Sequence, residues 1–236
     1  MIKVKNVTKT YKNGQEALKN ISFEIEQGEF VYCVGPSGSG KSTLFKMMAK
    51  EIEITDGSIQ LNQYRVERLP SRQLFQLRRQ VGIVAQEDLL LPNVSCFQNI
   101  AFSLKVLEKG TKEIREKTRQ VLELVDMQDY QHRMPEELSV GQRKKIAIAR
   151  ALVTDPSVLL ADEPTANLDI KSAVEVMKLF LKIHQKGTTV LLATHDSTMV
   201  NSVRQRVLEL KHGHLIRDDI KGGYSLFSDP KDVYVW

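Results

Sequence analysis

One run of nine residues carries the first chemistry in this chain: Gly35-Pro36-Ser37-Gly38-Ser39-Gly40-Lys41-Ser42-Thr43. It matches G-x-x-x-x-G-K-[ST], the phosphate-binding loop. Glycines in such a loop let backbone N–H groups turn inward toward phosphate oxygens. A helix starting at its end adds positive potential. In that arrangement Lys41 binds the β- and γ-phosphates of a nucleotide, and Ser42 ligates Mg²⁺. The loop follows the apolar run Phe30–Val34 and precedes an expected helix, Leu44–Lys50. Strand, loop and helix in that order are the context the motif requires. The loop alone does not name a reaction, because kinases, GTPases and motor ATPases all use one.

A second constellation narrows the choice. Val158-Leu159-Leu160-Ala161-Asp162-Glu163 is an apolar run ending in two carboxylates. Asp162, at the strand end, can hold the Mg²⁺ shell. Glu163 points elsewhere and can orient or deprotonate a water attacking the γ-phosphate. General-base help of this kind contributes about 10²–10⁴ in rate. Val190-Leu191-Leu192-Ala193-Thr194-His195 ends a comparable run. His195 there is either a γ-phosphate donor or a structural histidine. Gln86, after Val81-Gly82-Ile83-Val84, can join the Mg²⁺ and water shell. Tyr11, before Asn13-Gly14, either stacks on an adenine ring or is a packed surface tyrosine.

The elements that must position these groups are legible from periodicity. Phe30–Val34, Val158–Ala161 and Val190–Ala193 are short unbroken apolar runs, the pattern of strands buried on both faces of a parallel sheet. Ligands bind at the carboxyl ends of such strands. The N-terminal segment alternates instead, through Ile2, Val4 and Asn6 and then Ile21, Phe23 and Ile25, as half-buried strands do. From about Glu113, residues Ile114, Thr118, Val121, Leu122 and Val125 share one helical face. Residues 87–150 are expected to be mostly helical. The fold class is therefore α/β, with a mainly parallel core sheet, an antiparallel N-terminal β part and an inserted helical part.

Composition sets the outer bounds. The chain has 236 residues, 42% hydrophobic and 27% charged, within the range of ordinary globular proteins. No apolar stretch approaches the roughly 18 residues of a membrane span. Met1–Lys5 lacks the apolar core of a signal peptide. The net charge of +5 suits basic solvated faces or a surface near anionic lipid. Aromatic residues are only 6% and no nucleic-acid motif is present, so no nucleic-acid partner is expected. Cys33 and Cys96 form no disulfide framework.

Taken together, these residues resemble the ABC (ATP-binding cassette) ATPase family over about residues 1–220. Leu138-Ser139-Val140-Gly141-Gln142 resembles its LSGGQ signature and precedes an expected helix, Lys144–Ala151. The resemblance implies a homodimer that sandwiches two ATPs. In it, Ser139, Gly141, Gln142 and the helix N-terminus close over the partner's nucleotide. It also implies an aromatic A-loop at Tyr11, a Q-loop at Gln86, a D-loop at Asn167-Leu168-Asp169 and an H-switch at His195. ATP and Mg²⁺ are the implied cofactors, with Ser42, Gln86 and Asp162 as metal ligands. Val140 departs from the signature's glycine, at a cost only if the backbone needs a positive φ. Arg143-Lys144-Lys145 adds charge where a Gln-Arg-rich stretch is usual.

Within that family the chain is similar to the FtsE branch of bacterial cell-division ATPases. Leu77–Val84, Leu89–Asn93 and Leu160–Asp169 carry the likeness, with Lys50–Ile54 resembling the Gram-positive form. The resemblance implies an integral membrane partner like FtsX and an indirect link to a peptidoglycan hydrolase. It implies a peripheral location on the cytoplasmic face of the membrane. The apolar stretch Glu87–Leu104 either receives the partner's helix or fills the helical core. An exporter ATPase for lipoproteins or antimicrobial peptides has nearly the same motifs and is the alternative. One ATP-binding domain is expected over residues 1–221 (core 1–86 and 151–221, helical part 87–150), followed by a tail over 222–236.

Overall fold

In a computed structural model, which describes residues 1–224, two sheets carry the chain. The first part of the chain supplies β1 (Ile2–Thr10), β2 (Glu16–Ile25), β3 (Phe30–Val34), α1 (Lys41–Met48), β4 (Asp56–Leu61) and β5 (Tyr64–Arg65). Next come α2 (Leu74–Gln80), β6 (Val81–Val84), α3 (Cys96–Val106), α4 (Thr111–Leu124) and α5 (Val140–Leu152). The rest is β7 (Val158–Asp162), α6 (Ile170–Gln185), β8 (Thr189–Thr194), α7 (Ser197–Ser202), β9 (Gln205–Lys211) and β10 (His214–Gly222). The tail expected at 222–236 lies almost wholly outside the described residues.

The six-stranded sheet has the order β10-β9-β3-β8-β7-β6. Its strands pair in parallel except for the antiparallel edge strand β10. Its central strands are the continuous apolar runs, and both faces are covered. Phe30, Tyr32 and Val34 enter one core with Leu159, Ala161, Val190 and Leu192, against α3, α5 and α6. Val31 and Cys33 enter a second core with Val158, Leu160, Leu191 and Ala193, against α1 and the small sheet. Alternate side chains of one strand point to opposite faces, so a short apolar strand feeds both cores. The small sheet is antiparallel, in the order β2-β1-β4-β5.

Two expectations are corrected. The N-terminal alternation does not run through Asn6. Val7 is the buried residue, while Asn6 has φ 52° and its N–H donates to Ser22 Oγ. The pairing of β1 shifts register there, a bulge that moves the inward face by one residue. The helices also start earlier than apolar periodicity suggested. Helix α1 begins at Lys41 because residues 41–43 are both cradle and first turn. It stops before Lys50, whose left-handed φ of 55° accompanies a return bond from Glu51 N–H to Lys46 O. Helix α5 begins at Val140, capped by Ser139, rather than at Lys144.

Candidate functional site

The carboxyl ends of β3, β7 and β8 meet at a cleft of about 760 Å³, lined by Tyr11, Pro36–Thr43, Gln86, Glu163, His195 and Tyr224. Glycine is sterically required at two points of the loop beneath it. Gly35 has φ 142°, and a Cβ there would lie 2.1 Å from Leu210 O. Gly40 has φ 109°, and its Cβ would meet Leu18 Cδ2 at 2.5 Å and Ala17 O at 2.7 Å. Gly40 is also the cap residue of α1, and that helix start has no side-chain cap bond. Its first N–H groups therefore face the cleft, where a phosphate would meet them.

Lys41 is buried at the mouth of α1, and its Nζ donates to Gly35 O at 2.7 Å and Pro36 O at 3.2 Å. The ammonium is already aimed along the loop that would carry the phosphates. Tyr11 holds the other end of the cleft. Its hydroxyl lies 3.2 Å from Thr43 Oγ1, and the Lys9 ammonium sits 5.3 Å from its ring centroid.

Asp162 and Glu163 diverge as two neighbours at a strand end should. Asp162 Oδ1 is buried and has no hydrogen-bond partner among the described residues. Burial pushes the Asp162 carboxyl above its usual range, and the hydroxyl of Ser42 partly offsets this by hydrogen bonding. The Glu163 charge pushes it further up, while Lys41 and Lys46 pull it down. An orphaned, desolvated carboxylate oxygen beside a serine hydroxyl suits a hard cation that takes oxygen ligands and completes its shell with phosphates. Ser42 and Asp162, with the amide of Gln86, would hold Mg²⁺ here.

Glu163 turns away into the cleft. Its φ of 48° is left-handed, and its backbone is pinned by its N–H to Ala193 O (2.9 Å) and by Ala166 N–H to its own carbonyl (3.1 Å). Strained non-glycine backbone persists where the surroundings over-determine it. Its Oε1 lies 2.8 Å from His195 Nδ1. A carboxylate paired with an imidazole over a phosphate loop can position and deprotonate water.

Ser139, Gly141 and Gln142 lie outside this cleft, on α5. Ser139 Oγ accepts from Gln142 N–H, and Gln142 Oε1 accepts from Ser139 N–H, a reciprocal capping box. Val140 is the first helical residue and is not among the positive-φ residues, so its side chain is tolerated. Gly141 is small for packing: a Cβ there would lie 2.9 Å from Ser172 Oγ. In the loop after Glu163, Asp169 caps α6 through Ser172.

Residues 18–166 match the family model described as ABC transporter. The chain belongs to the ABC transporter ATPase family. It is accordingly an ATP-hydrolysing enzyme of the ABC type. The cell division ATP-binding protein FtsE of Streptococcus pneumoniae is 41% identical, over 95% of this chain and 97% of its own. FtsE of Mycobacterium tuberculosis is 43% identical, over 96% of this chain and 99% of its own. Among solved structures, a dimeric ABC cassette of Methanocaldococcus jannaschii has a TM-score of 0.85 at 35% identity, covering 94% of this chain and 100% of that one. The same cassette in a dimeric post-hydrolysis state bound to ADP and Pi gives 0.85 at 34% identity, with the same coverage.

Two features escaped sequence reading. Tyr224 reaches the Glu163–His195 end of the cleft, held by Arg217 Nη2 to its carbonyl (2.7 Å) and by its N–H to Asn201 Oδ1 (2.9 Å). It follows Gly222-Gly223, where periodicity ends, and no local signal marks it. The second is an apolar groove of about 530 Å³ between α2, β6 and α3. Phe75, Ile83, Phe102 and Val106 line it. Of these four, Phe102 alone fell in the stretch singled out from sequence. In that stretch Leu90 and Phe97 pack against the core, whereas Leu89, Leu91 and Phe102 are exposed. Among the described residues no helix is long and apolar enough to cross a membrane.

Proposed function

We propose that this ABC ATPase drives a cell-division complex of the FtsE type. Two copies would sandwich two ATPs, with the cleft of one copy facing the α5 end of the other. One observation carries the site reading: the phosphate loop, with Ser42 backed by the buried Asp162, and the Glu163–His195 pair converge on one cleft, while Ser139 stands apart from it. A second copy supplies what one copy lacks. The cell-division role is supported by identities of 40–43% with FtsE proteins along nearly their whole length.

The residue roles follow from position. Backbone N–H groups of residues 38–43 and the Lys41 ammonium stabilise charge on the β- and γ-phosphates. Ser42, Gln86 and Asp162 would hold Mg²⁺, which would supply charge neutralisation to the phosphates. Glu163 takes a proton from the attacking water, and His195 orients the carboxylate and meets the γ-phosphate side. Tyr11 stacks on adenine. Ser139, already capping its own helix, still has a hydroxyl proton to donate to the partner copy's γ-phosphate. The groove lined by Phe75, Ile83, Phe102 and Val106 receives a helix of an integral membrane subunit resembling FtsX. That subunit would place the ATPase on the cytoplasmic face and carry its motion to a peptidoglycan hydrolase. Residues 1–221 act as one ATP-binding domain.

The test uses Glu163→Gln as bait. The variant should bind ATP, lose about 10²–10⁴ in kcat and form a stable dimer in light scattering. Captured with ATP from native membranes, it should bring down one FtsX-like membrane protein. An exporter permease in its place would replace the cell-division reading with a transport one. A monomer with ATP bound would remove the sandwich.

A further inference from the structure

Lys144 sits on α5 just past the Ser139 cap, within a run of three basic residues, yet its side chain is only 2% exposed. Nothing in the nucleotide cleft uses it. Its ammonium lies 2.7 Å from Asp88 Oδ1 and donates to the carbonyls of Gln86 (2.9 Å) and Ala85 (3.3 Å). Farther along the same helix, Arg150 donates to Asp88 O at 2.8 Å and Leu89 O at 2.7 Å. The segment Ala85–Leu89 is thus held through four of its carbonyls by cations of a single helix. A cavity of about 390 Å³ lies where Gln86, Asp88, Val140, Lys144 and Asn167 meet. It marks the junction of the Gln86 loop, the head of α5 and the loop after Glu163.

A buried ammonium is costly unless it is paired, and even a paired one seldom stabilises more than apolar packing would. What it supplies is a stiff, directional link. One end of that link is the backbone of Gln86, whose side chain lines this copy's nucleotide cleft. The other is the helix whose Ser139 end serves the second copy's nucleotide.

We propose that Lys144 is a positioning residue that couples the two nucleotide sites of the dimer by tying the Gln86 loop to α5. The inference rests on the sandwich arrangement above. When α5 shifts to meet a γ-phosphate on the second copy, Lys144 carries the Gln86 backbone with it. Each site then becomes competent only as the other fills, which is a coupling free energy between two sites.

The full-length chain is compared with Lys144→Met and with Asp88→Leu/Lys144→Met. The single variant should melt earlier, because the half-buried Asp88 loses its close cation at 2.7 Å and keeps only Arg143 at 3.9 Å. The double variant should regain the melting temperature, because apolar groups replace the whole pair. In both, kcat should fall about tenfold while affinity for a fluorescent ATP analogue stays within about twofold. The Hill coefficient for ATP should exceed one in the unaltered chain and fall to one in both variants. A double variant that recovers kcat and cooperativity together with its melting temperature overturns the proposal, since Lys144 is then packing alone. Equal losses of kcat and ATP affinity overturn it as well. Failure of the sandwich shows separately, as an unaltered chain that stays monomeric with ATP, and it takes the coupling with it.

Discussion

Two helix starts in this molecule face phosphate in opposite ways. Helix α1 begins at Gly40 with no side-chain cap, so its N–H groups are left for a ligand. Helix α5 begins at Ser139 inside a complete capping box, satisfied by its own side chains. The first start is an open socket in every copy. The second is closed on itself and, in the proposed sandwich, would share its serine with a γ-phosphate brought by another copy. On the proposed sandwich, the contrast separates affinity from timing: nucleotide affinity would belong to α1, and competence for hydrolysis would wait on α5.

The largest expected effect falls on the open socket. Lys41→Ala should lose ATP binding and about 10²–10³ in kcat, and fluorescent-nucleotide titration reads the first. Intact affinity would break the contrast at once. Gly40→Ala should also act at α1, but through folding. Its Cβ would press on Leu18 and Ala17 in a backbone at φ 109°, which costs about 1–3 kcal/mol. Thermal melting with and without ATP measures that loss. Ser139→Ala should leave ATP affinity unchanged, lower kcat about tenfold and cost ~1 kcal/mol as a lost cap. Equal loss of affinity and turnover would place α5 on the same footing as α1.

The smallest effect is an absence of reaction. Cys33, the fourth of the five residues of β3, has its thiol pushed up from 9.0 to about 12, chiefly by burial, with Lys41 opposing and Asp162 and Glu163 adding to the rise. The thiol is protonated at neutral pH, so iodoacetamide should leave it untouched until the chain unfolds. The folded state binds this proton more tightly than the unfolded one. The stability it contributes is complete below about pH 9 and is lost as pH climbs toward 12. Rapid labelling at pH 8 in native buffer would mean that β3 opens under the phosphate loop.

The contrast between α1 and α5 is mirrored in what the sequence revealed. The phosphate loop and the carboxylates at 162 and 163 were legible because each is a local pattern ending an apolar run. The central strands were legible for the same reason, since burial on both faces leaves no polar residue to blur them. Lys144 was not. In sequence it is the middle of a charged run and looks solvated, and its burial depends on Asp88, which is remote in the chain. The groove was half visible: Phe102 lies in the stretch already suspected, whereas Phe75, Ile83 and Val106 join it only when α2, β6 and α3 pack. Tyr224 and the bulge at Asn6 left no periodic trace. Pairwise contacts between distant segments account for each of these misses.

Strand β3 has a consequence for how this protein can change. Its five residues alternate between two separate hydrophobic cores, and the phosphate loop hangs from its last residue. Sliding the strand by one position would exchange the side chains of both cores at once. The height of the cradle above the sheet is therefore not adjustable in small steps. Substitutions that refine this ATPase must accumulate in the loops and helices around the cradle. An added or deleted residue in β3 would cost the fold before it altered the chemistry.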